Sequence, residues 1–262
     1  MGGALVLAIS AFAVLATGAT PASAAPVTEN FASYASTFSL FVPATLTTNI
    51  TQPALAAPNS TYTMSVGSNT EAVPASLSGL TIGYTTGLES IIPVPSGATY
   101  VAGTLSTGLT WTFVNKGVTT HGAYDVTYCT GASSSCTATA HSSTFLGSTS
   151  TPYFEVNTGP THFAGGGTLT VPAWSASFKA TGAVGSSIQS TVSEYDYTDN
   201  VESIGVLTAV SYPSGVFSGT PTSPPPYVFQ PLASTTIGVV TPIVNAVLPN
   251  AGPVAGGSTV TI

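Results

Sequence analysis

The sequence contains no arginine and only two lysines, Lys116 and Lys179. A nucleic-acid surface needs a basic patch to neutralise phosphates, and attraction to anionic lipid needs the same. Two lysines against nine acidic residues leave a net charge of −7 and argue against both partners. Charge of either sign is scarce: 4% of residues are charged, against an ordinary share of roughly 25%. The polar surface must come from Ser, Thr, Asn and Gln. Such strands suit an exported β protein better than a cytosolic α/β enzyme, whose helices carry Glu, Lys and Arg. Catalytic motifs are missing as well. There is no Gly-x-Ser-x-Gly, no Ser-x-x-Lys and no His-Glu-x-x-His, and His121, His141 and His162 follow no metal-ligand spacing. No enzymatic activity is expected in this region.

What is present is apolar and aromatic. Hydrophobic residues make up 43% of the chain, with 11 Phe, 11 Tyr and 2 Trp, enough for a core and unlike a disordered composition. The run from Ala4 to Leu15 is apolar, and Ala22-Ser23-Ala24 forms an A-x-A cleavage site ahead of Ala25 and Pro26. This pattern predicts a secretory signal peptide over 1–24, although no Lys or Arg precedes the run. A transmembrane anchor would need about 20 apolar residues, more than this run offers. No later segment is long and apolar enough, so no membrane span is expected after cleavage.

Cys129 and Cys136 are the only cysteines. In an oxidising compartment this close pair predicts a disulfide across a hairpin. Turn formers fill Thr130 to Ser135, and the flanks Tyr124–Cys129 and Cys136–His141 read as strands. Metal binding would need two further ligands at suitable spacing.

From Ser60 to Val210 short β runs alternate apolar and hydroxyl residues between Gly and Pro turns. Examples are Thr61–Val66, Leu109–Val114, Trp174–Phe178 and Gly205–Val210. The predicted fold is all-β: an antiparallel β-sandwich over 25–211, with no helix downstream of the signal. Trp111 and Phe113 fall on one strand face as a core pair would, with Tyr124, Tyr128, Tyr153 and Trp174 as further core residues or a sugar-stacking platform. The window Ser90–Gly97 reads as a loop because of Pro93 and Pro95.

At 212–241 the composition shifts, with Pro213, Pro221 and Pro224 to Pro226, and a stiff extended linker is expected. Beyond it lie Pro242, Ile243, Pro249, Gly252, Pro253, Gly256, Gly257, Val260 and Ile262. Their order resembles the opening of an IPT/TIG domain, an immunoglobulin-like fold: a first strand, a Pro-x-x-Gly-Pro turn, then Gly-Gly-x-x-Val-x-Ile. The resemblance covers 242–262, about two strands of such a domain, so an incomplete module is expected there. Leu248 to Gly252 also resembles a sortase signal, but the same turn accounts for it. Leu169 to Gly182 more loosely resembles hydroxyl-rich secreted β domains of actinobacteria, a group with no chemistry to transfer.

The densest charge is Glu194, Asp196, Asp199 and Glu202. As a strand, this segment puts Glu194 and Asp196 on one face and Tyr195 and Tyr197 on the other, with Asp199 and Glu202 in the following turn. Clustered hard oxygens suit Ca²⁺; a solvated acidic loop is the competing reading. No other cofactor is indicated. The expected function is that of a secreted or cell-surface structural or adhesive protein. The alternatives are a carbohydrate- or wall-binding module, with or without calcium, and the non-catalytic part of a larger secreted enzyme. Expected partners are the cell wall or an extracellular protein or glycan.

Overall fold

The computed structural model describes residues 21–22, 26–35, 37–77, 80–130, 136, 151–219 and 221–239. The apolar run of the signal, Ser23 and Ala24 of its cleavage site, the second flank of the cysteine hairpin beyond Cys136 and the immunoglobulin-like motif at 242–262 lie outside the described residues. Every regular element among the described residues is a strand. The first ten are β1 (Pro21–Ala22), β2 (Val27–Ala35), β3 (Leu40–Thr48), β4 (Ile50–Pro53), β5 (Leu55–Ala56), β6 (Thr61–Val66), β7 (Asn69–Ala72), β8 (Ser76–Leu77), β9 (Leu80–Pro93) and β10 (Ala98–Tyr100). They are followed by β11 (Leu109–Asn115), β12 (Val118–Cys129), β13 (Tyr153–Asn157), β14 (Phe163–Ala164), β15 (Thr168–Val171) and β16 (Trp174–Ala180). The last four are β17 (Ser187–Ser190), β18 (Glu194–Val201), β19 (Gly205–Pro213) and β20 (Ala233–Ile237).

One long antiparallel sheet runs β3-β2-β19-β18-β9-β13-β12-β11-β15-β7, with β8 and β14 pairing β9 beside that path. A second sheet, β1-β4-β6-β16-β10, and a small third, β17-β20-β5, pack against it. The alternation read from the sequence is the alternation of burial: β6 hides Tyr62, Met64 and Val66, and β16 hides Trp174, Ala176, Phe178 and Ala180. These side chains meet Phe154 of the long sheet, whose ring lies 5.5 Å from Trp174 and 5.8 Å from Phe178. A second cluster holds Trp111 and Phe113, both set edge-on to Phe163 at 5.0 and 5.2 Å. Gly122 faces Trp111 across the β11–β12 pair, and a Cβ there would lie 2.1 Å from the indole. The glycine is required so that the ring can lie across the neighbouring strand.

Two sequence expectations differ from the structure. Ser90 to Pro93 are not loop but the end of β9, hydrogen-bonded between β18 and β13. Ile91 and Ile92 are buried on opposite faces, so the run shows no alternation. Pro93 closes the strand, where its missing N–H interrupts no ladder. The proline-rich stretch from Tyr212 also packs on the sheets. Tyr212 and Pro213 complete β19, Tyr212 donates to the Pro225 carbonyl at 3.0 Å, and Leu232 enters the main core. β20 then pairs with β17 and, in parallel, with β5. Proline removes donors but not apolar surface, and Tyr212, Phe217 and Tyr227 cover an outer face together with Phe41 and Tyr34.

Candidate functional site

The site grows from a bent hairpin. β3 runs into β4 through Asn49 alone, and β6 runs into β7 through Gly67 and Ser68. At this corner the Gly67 N–H donates to the Asn49 carbonyl at 2.7 Å. On one side of the corner β4 and β6 pair with each other. On the other side β3 joins β2 while β7 joins β15, so they become the two end strands of the long sheet. The sheet therefore curls until its ends face each other, in a nearly closed barrel. Asn69 links them: its Nδ2 donates to the Thr47 carbonyl on β3 at 3.0 Å. Past that link the strands separate around a cavity of about 190 Å³. Exposed Thr45, Ala72 and Pro74 form its rim, and Phe31, Thr85, Tyr195, Tyr197, Asp199 and Ser211 its interior. A smaller cavity of about 80 Å³ adjoins it through the shared residues Leu46, Glu71, Leu88, Leu169 and Tyr195.

A bulge shapes the wall. Asp196 pairs with Glu89 but Thr198 pairs with Thr86, so β9 carries one extra residue at Gly87 and Leu88. Gly87 takes the positive φ of 61° that this requires. The extra residue reverses the alternation, and Leu88 and Thr85 both line the cavity.

Polar groups converge inside. Tyr195 Oη donates to Glu71 Oε2 at 3.1 Å, and Asn69 Nδ2 donates to Glu71 Oε1 at 2.9 Å. Thr85 donates to Asp199 Oδ1. The Tyr195 and Tyr197 rings stand 5.8 Å apart at 48°. Burial pushes the Glu71 carboxyl above its ordinary value, partly offset by the Tyr195 bond. Burial also raises Asp199, partly offset by Thr85, and burial raises both tyrosines. No Lys or His lines either cavity.

The four acidic residues singled out in the sequence go to three places. Glu194 and Asp196 share the face of β18 opposite Tyr195 and Tyr197. Glu194 is 0% exposed, and burial first, then Asp196 and Glu89, pushes its carboxyl up to about 10. Asp196 Oδ1 accepts from the Ser211 N–H at 3.2 Å. Asp199 lies within the strand rather than in a turn, and it faces the cavity. Glu202 is exposed in the turn between β18 and β19. The strand thus keeps Glu194 and Asp196 together and separates them from the other two. Cys129 and Cys136 form a disulfide. Among the described residues, the one grouping of three side chains with metal-ligand chemistry is Cys129, Cys136 and Glu155, and the disulfide occupies both sulfurs. His162 stacks on Tyr84 at 3.8 Å, and His121 is exposed on β12. Glu71 and Thr85 were not legible as site residues. Glu71 is a lone acid in a polar run, and only the curl of the sheet brings it opposite Tyr195.

No helix among the described residues is long and apolar enough to cross a membrane. No family model matches the chain, and no curated protein matches it. Among solved structures, a crystal structure of a protein described as membrane anchored, from Corynebacterium diphtheriae, aligns with 81% of this chain and 37% of its own length. The sequence identity is 10% and the TM-score 0.37.

Proposed function

We propose that these residues form a non-catalytic domain of an exported protein, displayed at the cell surface in a structural or adhesive role. The observation that carries this reading is the Cys129–Cys136 disulfide, a bond that persists in oxidising compartments. It accords with the signal pattern and with a surface built from hydroxyls rather than charges. The test is to express the full chain in its source cells and follow the protein. Removal by protease from intact cells, with a mature N-terminus at Ala25 and no free thiol, is the expected result. Recovery from the cytosol as a dithiol would overturn it.

The open cavity favours a second reading, in which the domain holds a carbohydrate or another wall component. Retention on purified wall fragments, measured with calcium and with a chelator, tests this reading and any role of metal at Glu194 and Asp196 together.

A further inference from the structure

We propose that the cavity between β3 and β7 is a binding site for a small organic cation: an ammonium group, free or alkylated, on an apolar body of about one ring. The inference rests on the binding reading above and names the chemical class of the group held.

Size sets the first limit. An apolar cavity of about 150 Å³ accepts benzene, so about 190 Å³ takes a six-membered ring with one or two further atoms. The walls match an apolar body, with Phe31, Leu46, Val73, Leu88 and Leu169 among the lining residues. The rim is exposed, so a ligand enters from solvent past Thr45 and Pro74 without the sheet opening.

Charge sets the second limit. The cavity holds two carboxyl groups, Glu71 and Asp199, and no basic side chain. Both Glu71 oxygens are taken, by Asn69 and Tyr195. Asp199 is 4% exposed, and Thr85 donates to its Oδ1. Its carboxyl lines the cavity together with the Tyr195 and Tyr197 rings. A carboxylate next to two aromatic rings is the chemistry that recognises an ammonium, by charge and by attraction to the ring quadrupoles. An anionic ligand would meet two carboxyls with nothing to offset them. A neutral polyol would suit the carboxyls but leave the apolar walls without a partner.

Binding is linked to the protonation of Asp199. Burial favours the protonated form of Asp199 in the empty cavity. The other titratable groups facing it are Tyr195 and Tyr197 on its own strand and Glu71 on β7. A cation stabilises the ionised carboxylate, so Asp199 releases its proton to solvent as the cation enters. Affinity therefore rises with pH until Asp199 is ionised in the empty site.

The experiment uses the full chain, with benzylamine and cyclohexylamine, both protonated below pH 8, as cationic probes and benzyl alcohol and cyclohexanol as neutral counterparts. Titration calorimetry in two buffers of different ionisation enthalpy reads affinity and proton release together. The expected result is saturable binding of the cations below about 1 mM, with affinity rising with pH, and proton release falling, across the range in which Asp199 titrates. Asp199→Asn should weaken the cations about tenfold or more, as loss of a charged partner does, and leave the neutral probes unchanged. Leu88→Trp, which fills the cavity from its wall, should abolish binding of all probes and serves if the Asn variant does not fold. Neutral probes binding as tightly as cations, cations unaffected by Asp199→Asn or Leu88→Trp, or no binding by either cation would each overturn the proposal. Wall retention lost while cation binding persists counts against the wall reading alone. Wall retention without cation binding counts against this inference alone.

Discussion

Glu29 offers the sharpest test of how this protein handles charge. Its side chain is 1% exposed on β2. Oε1 accepts from the Gln230 N–H at 3.4 Å, and Oε2 is buried without a hydrogen-bond partner. Burial pushes the carboxyl from 4.5 up to about 7, with the Gln230 bond as a small offset. The folded chain therefore holds this proton more tightly than the unfolded chain does. Below pH 4.5 Glu29 costs nothing; as pH rises through about 7 the folded state loses stability, and above that the loss is complete. At about 1.4 kcal/mol per tenfold change in proton affinity, the full loss is about 2–3 kcal/mol. Glu29→Gln keeps the shape and the acceptor for Gln230 but cannot ionise. Urea unfolding from pH 4 to pH 9 should show the variant gaining about 2 kcal/mol on the wild type between pH 4.5 and 7, a difference of roughly 4–8 °C in melting temperature for a chain of this size. Above pH 8 the two curves should run parallel, both still falling because burial, with Asp196 and Glu89, pushes the Glu194 carboxyl up to about 10. Parallel curves across the whole range would refute the argument, since Glu29 would then ionise alike in both states.

Three further outcomes follow from the packing. Gly122→Ala places a Cβ 2.1 Å from the Trp111 ring and should cost about 1–3 kcal/mol by overpacking, read by thermal melting. Phe154→Ala removes a fully buried ring that touches Tyr100, Tyr128, Trp174 and Phe178; a loss of about 3–5 kcal/mol is expected in urea unfolding. Replacing Cys129 and Cys136 together by Ala opens a bridge of sequence separation 7, which the chain-entropy model values at about 2–3 kcal/mol. An unchanged urea midpoint would show that the unfolded chain is not constrained there.

Some of the site was legible in advance. In the segment from Glu194 to Asn200, strand alternation puts Glu194 and Asp196 on one face and Tyr195 and Tyr197 on the other, and the structure keeps that division. What could not be read is which face is inside. Both are, since Tyr212 and Tyr227 cover the outer one. An acidic run that reads as a solvated loop is therefore largely buried strand. The β9 bulge was equally hidden. Gly87 takes a positive φ there, and the extra residue reverses the alternation and turns Thr85 toward Asp199.

The sequence by itself determined the β character, the hydroxyl-rich surface and the strand faces, because alternation with period two is a property of neighbouring residues and survives without knowledge of partners. Only the tertiary structure decided that β3 and β7, close in sequence and joined at a corner, end at opposite edges of one curled sheet. That closure depends on pairings between residues about a hundred or more positions apart, such as β2 with β19 and β7 with β15 for the ends that meet. No local pattern encodes those pairings, and the cavity holding Glu71, Tyr195 and Asp199 exists only because of them.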